Sequence, residues 1–291
     1  METTELLKKV RKIEIKTKGL SNQIFSGHYH SAFKGRGMAF TEVREYQYGD
    51  DIRSIDWNVT ARFNHPYIKV FEEERELTVM LLIDVSGSNE FGAVGMLKED
   101  MITEIAGVLA FSAINNNDKV GVIFFSDRIE KFIPPKKGSS HILRIIRELI
   151  DFKPEQKGTD IGLALKYLRN VIKKRSIAFL ISDFNDQGFE DPLSIVSKKH
   201  DLVCVRVADE REKEIPSLGI MKFKDAETGK VYWLDTSSKS FQEKLGQWNR
   251  DKEKYLKTTF TRAGVDLVTI PTHRDYVPPL MNLFRKRSNQ A

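Results

Sequence analysis

The sequence has a single cysteine and no long apolar run. One cysteine in 291 residues excludes a disulfide framework within the chain and a cysteine-rich zinc site. The longest apolar run, residues 105–114, is interrupted by Gly107 and Ser112 and is far shorter than the roughly 20 residues that a membrane span needs. The first residues are charged and lack the apolar centre of a secretory signal. We therefore expect a soluble, cytoplasmic protein without a membrane span.

The sequence also lacks a concentrated positive charge. The formal net charge is +6, but residues 1–76 hold 13 basic and 12 acidic side chains, and Arg285, Lys286 and Arg287 supply half of the excess. The stretch between them is close to neutral, unlike a surface built to bind a nucleic-acid backbone. We predict no nucleic-acid partner, and we interpret residues 281–291 as a basic, solvated tail.

The chain from residue 77 onward alternates apolar, β-rich runs with helical patterns. Such alternation predicts an α/β fold, Rossmann-like, with a mostly parallel sheet and helices on both faces. Residues 220–234 are typical of a hairpin, and residues 240–263 predict a long helix that turns Trp248 and Tyr255 inward. The predicted strands of the sheet are residues 77–83, 118–126, 128–133, 176–181, 201–207 and 265–270.

Three domain segments follow from this pattern. Residues 1–76 are predicted to form an N-terminal extension with a short helix and β segments, and residues 77–280 the sheet domain. Residues 281–291 form the basic tail.

Oxygen-bearing side chains follow several of the predicted strands. Asp84, Ser86 and Ser88 occupy alternate positions of one turn after the first buried strand. Thr159 precedes a helix, and Asp183 follows the strand at residues 176–181. The carboxyl ends of parallel strands meet at one edge of a sheet, and hard oxygen ligands suit Mg²⁺, Mn²⁺ or Ca²⁺ better than zinc. A helix cap at Thr159 and a turn at Asp183 are the alternative interpretations.

Two sets of residues carry a family resemblance. The run from Asp84 to Ser88, together with Thr159 and Asp183, resembles the metal-ion-dependent adhesion site (MIDAS) of von Willebrand factor type A domains. A longer signature is similar to a bacterial family, domain of unknown function 58, which is von Willebrand factor A-like. That signature consists of Gly35-Arg36-Gly37, Arg44-Glu45-Tyr46, residues 49–57 and Thr60-Ala61-Arg62.

The resemblance implies a von Willebrand factor A-like fold and a binding function. Asp84, Ser86, Ser88, Thr159 and Asp183 would hold the metal, with Mg²⁺ as the expected ion. An acidic side chain of a protein partner would complete its coordination. Members of this family are commonly encoded beside MoxR-type AAA+ ATPases, which implies an ATPase partner. The implied protein is a non-enzymatic adaptor or regulator in protein or complex assembly.

A metal-dependent hydrolase that uses the same cation is the alternative function. It requires a general base beside the cation, and the acidic residues in these loops are already assigned as ligands. The sequence has no phosphate-binding Gly-x-x-x-x-Gly-Lys-Ser/Thr motif, so the chain does not resemble an ATPase itself.

Other candidate residues receive structural interpretations first. His28 and His30 lack an apparent third metal ligand, and Cys204 is predicted to be an inert core thiol. The stretch Lys34-Gly35-Arg36-Gly37 is a weak candidate for an anion site. Five charged signature residues are predicted to form an ion-pair and capping network that fixes the N-terminal segment against the sheet, with a partner surface as the alternative. These are Asp50, Asp51, Arg53, Asp56 and Arg62.

Overall fold

The computed structural model describes residues 3–20, 38–73, 77–87, 98–209, 215–225 and 229–289. The chain divides into two compact units. The smaller unit comprises Lys34–Leu77, and the larger one combines Met1–Phe33 with Thr78–Ala291. The first helix thus groups with the sheet domain and not with the signature segment.

The described residues form ten strands and eight α-helices. The strands are β1 (Met38–Glu45), β2 (Tyr67–Glu73), β3 (Thr78–Asp84), β4 (Lys119–Phe125), β5 (Ile129–Lys136), β6 (Ile177–Ser182), β7 (Asp201–Ala208), β8 (Ile220–Lys224), β9 (Val231–Asp235) and β10 (Asp266–Pro271). The helices are α1 (Thr3–Leu20), α2 (Trp57–Phe63), α3 (Lys98–Asn115), α4 (Ser139–Asp151), α5 (Ile161–Val171), α6 (Glu190–Lys199), α7 (Lys239–Ala263) and α8 (Val277–Ser288).

The larger unit is built on a six-stranded sheet with the order β10-β7-β6-β3-β4-β5. Neighbouring strands are parallel except β4 and β5, which form an antiparallel pair. Alternate residues of a strand point to opposite faces, so Met80 and Leu82 of β3 pack with α5, α6 and α7. Helix α3 contacts β3 and β4. The predicted α/β fold with a mostly parallel, helix-flanked sheet is confirmed.

Helix α1 packs against α3 and α4. Val10 and Ile13 of α1 are buried. Helices α1 and α3 approach each other closely at Gly107. A Cβ atom at Gly107 would lie 3.2 Å from Thr17 Cγ2. A larger residue there would push α1 outward, so the glycine supports this helix contact.

The C-terminal segment is helical, which corrects the prediction of a solvated tail. Phe284 of α8 is fully buried. Arg287 forms ion pairs with Asp201 and Asp266, at the starts of β7 and β10. The basic residues at this end therefore hold an apolar helix face against the sheet.

Helix α7 spans the predicted residues, but only one of the two aromatic side chains predicted to face inward is packed in the interior. Trp248 is 48% exposed, while Tyr255 packs edge-on against Phe189 with ring centroids 5.9 Å apart. Gly264 ends the helix with φ 63°, a conformation that favours glycine. None of the helices in the described residues has both the length and the apolar character for crossing a membrane.

The smaller unit contains an antiparallel pair of strands, β1 and β2, and α2 lies between them in the sequence. Asp50 accepts two hydrogen bonds from the Arg44 guanidinium, both 2.8 Å long. Asp51 caps the short 3-10 helix that follows it, and Asp56 caps α2. Asp51 and Asp56 thus cap helices, and Asp50 and Asp56 form ion pairs with Arg44 and Lys69 of the same unit. Arg53 and Arg62 form no ion pair within the described residues.

The stability of the larger unit is predicted to depend on pH through His200. Its ring is buried, and one nitrogen lies 2.9 Å from the Ser176 hydroxyl. Burial, with the positive charges of Lys199 and Arg175, lowers the pKa of His200 from 6.5 to about 4. The neutral ring is the form that fits the fold. Its contribution to stability is complete above pH 6.5 and is lost as the pH falls toward 4.

We expect this loss to reach about 2 kcal/mol at pH 4.5. Urea unfolding of the native chain and of His200→Gln, each at pH 7 and pH 4.5, measures it as the difference between the two pH-dependences. Equal pH-dependences would show that His200 protonates without cost to the fold.

Candidate metal centre

Asp84 lies at the carboxyl end of β3, in the middle of the sheet. It is 1% exposed, and both carboxylate oxygens are engaged. Oδ2 accepts a hydrogen bond of 2.6 Å from the Ser182 hydroxyl of β6, and Oδ1 accepts one of 2.9 Å from the Ser86 N–H. Because β3 and β6 are parallel neighbours, their ends bring these residues together.

Asp183 follows β6 and carries the other predicted carboxylate. It is 3% exposed. Its Oδ2 lies 3.1 Å from Lys98 Nζ, and its Oδ1 accepts a hydrogen bond from the Asn185 N–H. Lys98 is the first residue of α3 and is fully buried. The sequence analysis did not identify Lys98, because lysine is almost never fully buried unless it is paired. Nothing in the sequence around the first residue of α3 indicates that it has a carboxylate partner.

The loop that contains Thr159 is tied to the same edge by backbone hydrogen bonds. The Gly87 N–H donates to the Lys157 carbonyl (3.0 Å), and the Asp160 N–H donates to the Ser126 carbonyl (2.9 Å). Thr159 lies half-buried between these two contacts. Asp160, the residue after Thr159, caps α5 and accepts from the Leu163 N–H. The predicted ligand Ser88 lies outside the described residues.

Electrostatics at this edge favour an added cation. Burial and the neighbouring charge of Asp183 raise the pKa of Asp84 well above its ordinary value, and hydrogen bonds from Ser182 and Ser86 oppose this only in part. The carboxylates of Asp84 and Asp183 therefore repel each other when both are ionised. A divalent cation would relieve that repulsion, and carboxylate and hydroxyl oxygens are donors that Mg²⁺ accepts.

The donor set fits a cation that keeps several of its own waters. Within the described ranges, no group of three or more His, Cys, Asp or Glu side chains is placed to hold a metal. A cation here would rest on two carboxylates, Asp84 and Asp183, with the Ser86 hydroxyl beside Asp84. Mg²⁺ is commonly bound in this way, through one or two carboxylates and retained water.

A cavity of about 430 Å³ opens beside Asp84 and Ser86. One wall is apolar, with contributions from Ile102, Leu149 and Phe152. Glu99 and Lys153 also line it. The centre is thus accessible to an incoming group of side-chain size.

The match to a known family covers most of the chain. Residues 42–255 match the family described as Protein of unknown function DUF58. This chain belongs to the DUF58 family. The match includes the signature residues from Arg44 to Arg62 and the edge of the sheet that carries Asp84 and Asp183, so the resemblance to domain of unknown function 58 is confirmed.

This DUF58 chain is similar to an uncharacterized protein and to two solved structures. The Mycobacterium tuberculosis protein Rv1480, titled as uncharacterized, is 26% identical over all of this chain and 92% of its own length. The crystal structure of BatB from Bacteroides thetaiotaomicron is 16% identical, with a TM-score of 0.48 over 73% of this chain and 99% of that one. The SpRpn10 VWA domain is 12% identical, with a TM-score of 0.41 over 72% and 95%.

Several other predicted candidates do not contribute to the centre. His28, His30 and the stretch at residues 34–37 lie outside the described residues. Cys204 is fully buried in β7, and burial raises the pKa of its thiol well above the ordinary value. A thiol that resists ionisation is a poor nucleophile or metal ligand, which agrees with its interpretation as a core residue.

Proposed function

We propose that this DUF58 protein binds a divalent cation, with Mg²⁺ as the expected ion, and uses it to bind an acidic side chain of a protein partner. The observation that carries the proposal is the burial of two carboxylates, Asp84 and Asp183, at the ends of the parallel neighbours β3 and β6. Two carboxylates buried close together repel each other when both are ionised. An added cation would compensate that repulsion.

The neighbouring cavity supports a binding role. It reaches Asp84 and Ser86 and has both apolar and charged walls, as a recess for one partner side chain would. A cation between the pair and the cavity would present an open position to a carboxylate. Ser88 and Thr159 remain predicted ligands in this arrangement, together with Asp84, Ser86 and Asp183.

The proposed biological role is that of an adaptor or regulator of a MoxR-type AAA+ ATPase. This part rests on the family resemblance. Its test is a binding measurement between the purified chain and a MoxR-type ATPase from the same organism, in Mg²⁺ and in EDTA. Binding that survives both EDTA and Asp84→Ala would place the interface elsewhere.

The metal site itself has a direct test in thermal melting. Mg²⁺ or Mn²⁺ at about 100 times its dissociation constant is expected to raise the melting temperature of the native chain by about 5–10 °C. Asp84→Ala should show no rise, because it removes a carboxylate of the pair. Asp186→Asn is the matched control: Asp186 is in the loop after β6 but accepts from the Ile161 N–H, so its metal response should equal the native one. Equal responses in native and Asp84→Ala would contradict the site.

The metal-dependent hydrolase is the second candidate. Glu99 lines the same cavity as Asp84, so a carboxylate stands where a general base for a cation-bound water would be needed. This function predicts chelator-sensitive turnover of phosphoester or peptide substrates that Glu99→Gln abolishes. A chain that binds the cation but shows no such turnover is a binding module.

A further inference from the structure

Glu130 of β5 carries a buried carboxylate that accepts hydrogen bonds from the loop between α4 and α5. Its side chain is 2% exposed. Oε1 accepts from the Ser126 hydroxyl (2.7 Å) and from the Gln156 N–H (3.2 Å). Oε2 accepts from the Glu155 N–H (3.4 Å) and lies 3.5 Å from the Arg128 guanidinium. Burial alone would raise the pKa of Glu130, but these hydrogen bonds outweigh it and lower the pKa, so the group is ionised at neutral pH.

The loop that Glu130 holds also carries Thr159, a predicted metal ligand. Glu130 binds the loop through the N–H groups of residues 155 and 156. Further along, the Asp160 N–H donates to the carbonyl of Ser126, the same residue whose hydroxyl donates to Glu130. The backbone contact with the turn after β3 lies between these two points. The segment that contains Thr159 is therefore fixed on both sides by the β4–β5 pair.

The effect of Glu130 on a cation would be indirect. In the part of the chain that the structure describes, no third carboxylate is grouped with Asp84 and Asp183 in a geometry for metal binding. Glu130 would therefore act through the loop. Residues that orient metal ligands from outside are important for affinity, and the loss of one typically weakens metal binding by about 10–100-fold.

We infer that Glu130 is a positioning residue of the proposed metal site: its carboxylate fixes the loop that brings the Thr159 hydroxyl to the cation. The effect on the cation rests on the proposed function, whereas the holding of the loop does not. A carboxylate suits this position because the groups that face it are donors. A glutamine of the same shape has one acceptor oxygen, and its amide NH₂ would face a donor.

The holding of the loop is tested without any metal. In EDTA, hydrogen exchange at the two loop amides bonded to the Glu130 carboxylate should be at least about tenfold faster in Glu130→Gln than in the native chain. Glu148→Gln is the matched control, because Glu148 is a carboxylate of α4 that pairs with Lys131 of β5. Its loop should exchange at the native rate. Unchanged exchange in Glu130→Gln would overturn the inference. If Glu130→Gln does not fold, Ser126→Ala removes a donor to the same carboxylate and gives the test with a smaller effect.

The effect on the cation is tested by Mn²⁺ binding, measured from the electron paramagnetic resonance of free Mn²⁺ at a temperature where every chain is folded. The dissociation constant should rise at least about tenfold in Glu130→Gln and stay native in Glu148→Gln. A loss of stability alone would not change this constant. Thr159→Val should weaken binding but retain it through the two carboxylates. In that background Glu130→Gln should have less than about a twofold effect, because the hydroxyl through which it acts is already absent.

Each outcome of the Mn²⁺ measurement decides one part of the inference. Equal dissociation constants in the native chain and Glu130→Gln would overturn the positioning role and leave the metal site in place. A full effect of Glu130→Gln in the Thr159→Val background would overturn the route through Thr159. Absence of Mn²⁺ binding by the native chain would overturn the proposed metal site together with the positioning role, while faster exchange would still show that Glu130 holds the loop.

Discussion

Asp183→Ala is expected to lower the free energy of unfolding by about 3–5 kcal/mol. The substitution removes the carboxylate that lies 3.1 Å from Lys98 Nζ, and both side chains are almost completely buried. A lysine ammonium left in the interior without this carboxylate loses the interaction that offsets its dehydration. Urea unfolding monitored by circular dichroism in EDTA measures the change.

The control for this substitution is Asp186→Ala. Asp186 follows in the same loop and accepts a hydrogen bond from the Ile161 N–H, so its removal should cost about 1 kcal/mol. A loss below about 1 kcal/mol for Asp183→Ala would mean that Lys98 is stabilised by other groups to the same extent.

Phe260→Ala is expected to cost about 3–5 kcal/mol. Phe260 is 3% exposed and holds α7 to the sheet domain through an edge-on contact with Phe184, with ring centroids 5.3 Å apart. Its ring also lies 6.2 Å from that of Phe189. Removing it leaves a cavity among aromatic rings that cannot collapse easily. The free energy of unfolding in urea checks this value.

Trp248→Ala is the matched control in the same helix. Trp248 is larger than Phe260 but 48% exposed. Its described ring contact is with the Lys252 ammonium, 5.4 Å from the ring centre. Its loss should cost about 0.5 kcal/mol. If Trp248→Ala lowered the free energy of unfolding as much as Phe260→Ala, the burial of Phe260 would not explain how α7 is held in place.

Most elements of the sheet domain could be predicted from the sequence because buried parallel strands are continuous apolar runs. The runs at β3, β6 and β7 are of this kind. The helical pattern of residues 240–263 likewise predicts the extent of α7 to within one residue. The order of the strands could not be predicted in this way. It depends on pairing between distant residues, such as the position of β3 between β6 and β4, which no local pattern encodes.

The errors in the sequence predictions concern amphipathic side chains. The three basic residues after Phe284 predict a solvated tail, yet Lys286 and Arg287 pair with acids at the sheet and the phenyl ring is buried. Trp248 was assigned to the interior because it is aromatic, but α7 is polar on most of its surface. Of the candidate site, Asp84 and Asp183 could be placed at one edge from strand ends alone. Lys98 could not, since only the tertiary fold reveals its carboxylate partner.

The packing of α1 has a consequence for the order of events during synthesis. Helix α1 leaves the ribosome before α3 and α4, so its contacts with them form with residues that are made much later. A segment of the chain that builds its own compact unit, Lys34–Leu77, comes between them. An isolated helix of this length has little stability in water. Val10 and Ile13 therefore stay exposed to solvent until α3 and α4 have been synthesised. The nascent chain therefore carries an apolar helix face that is sheltered only after α4 has emerged.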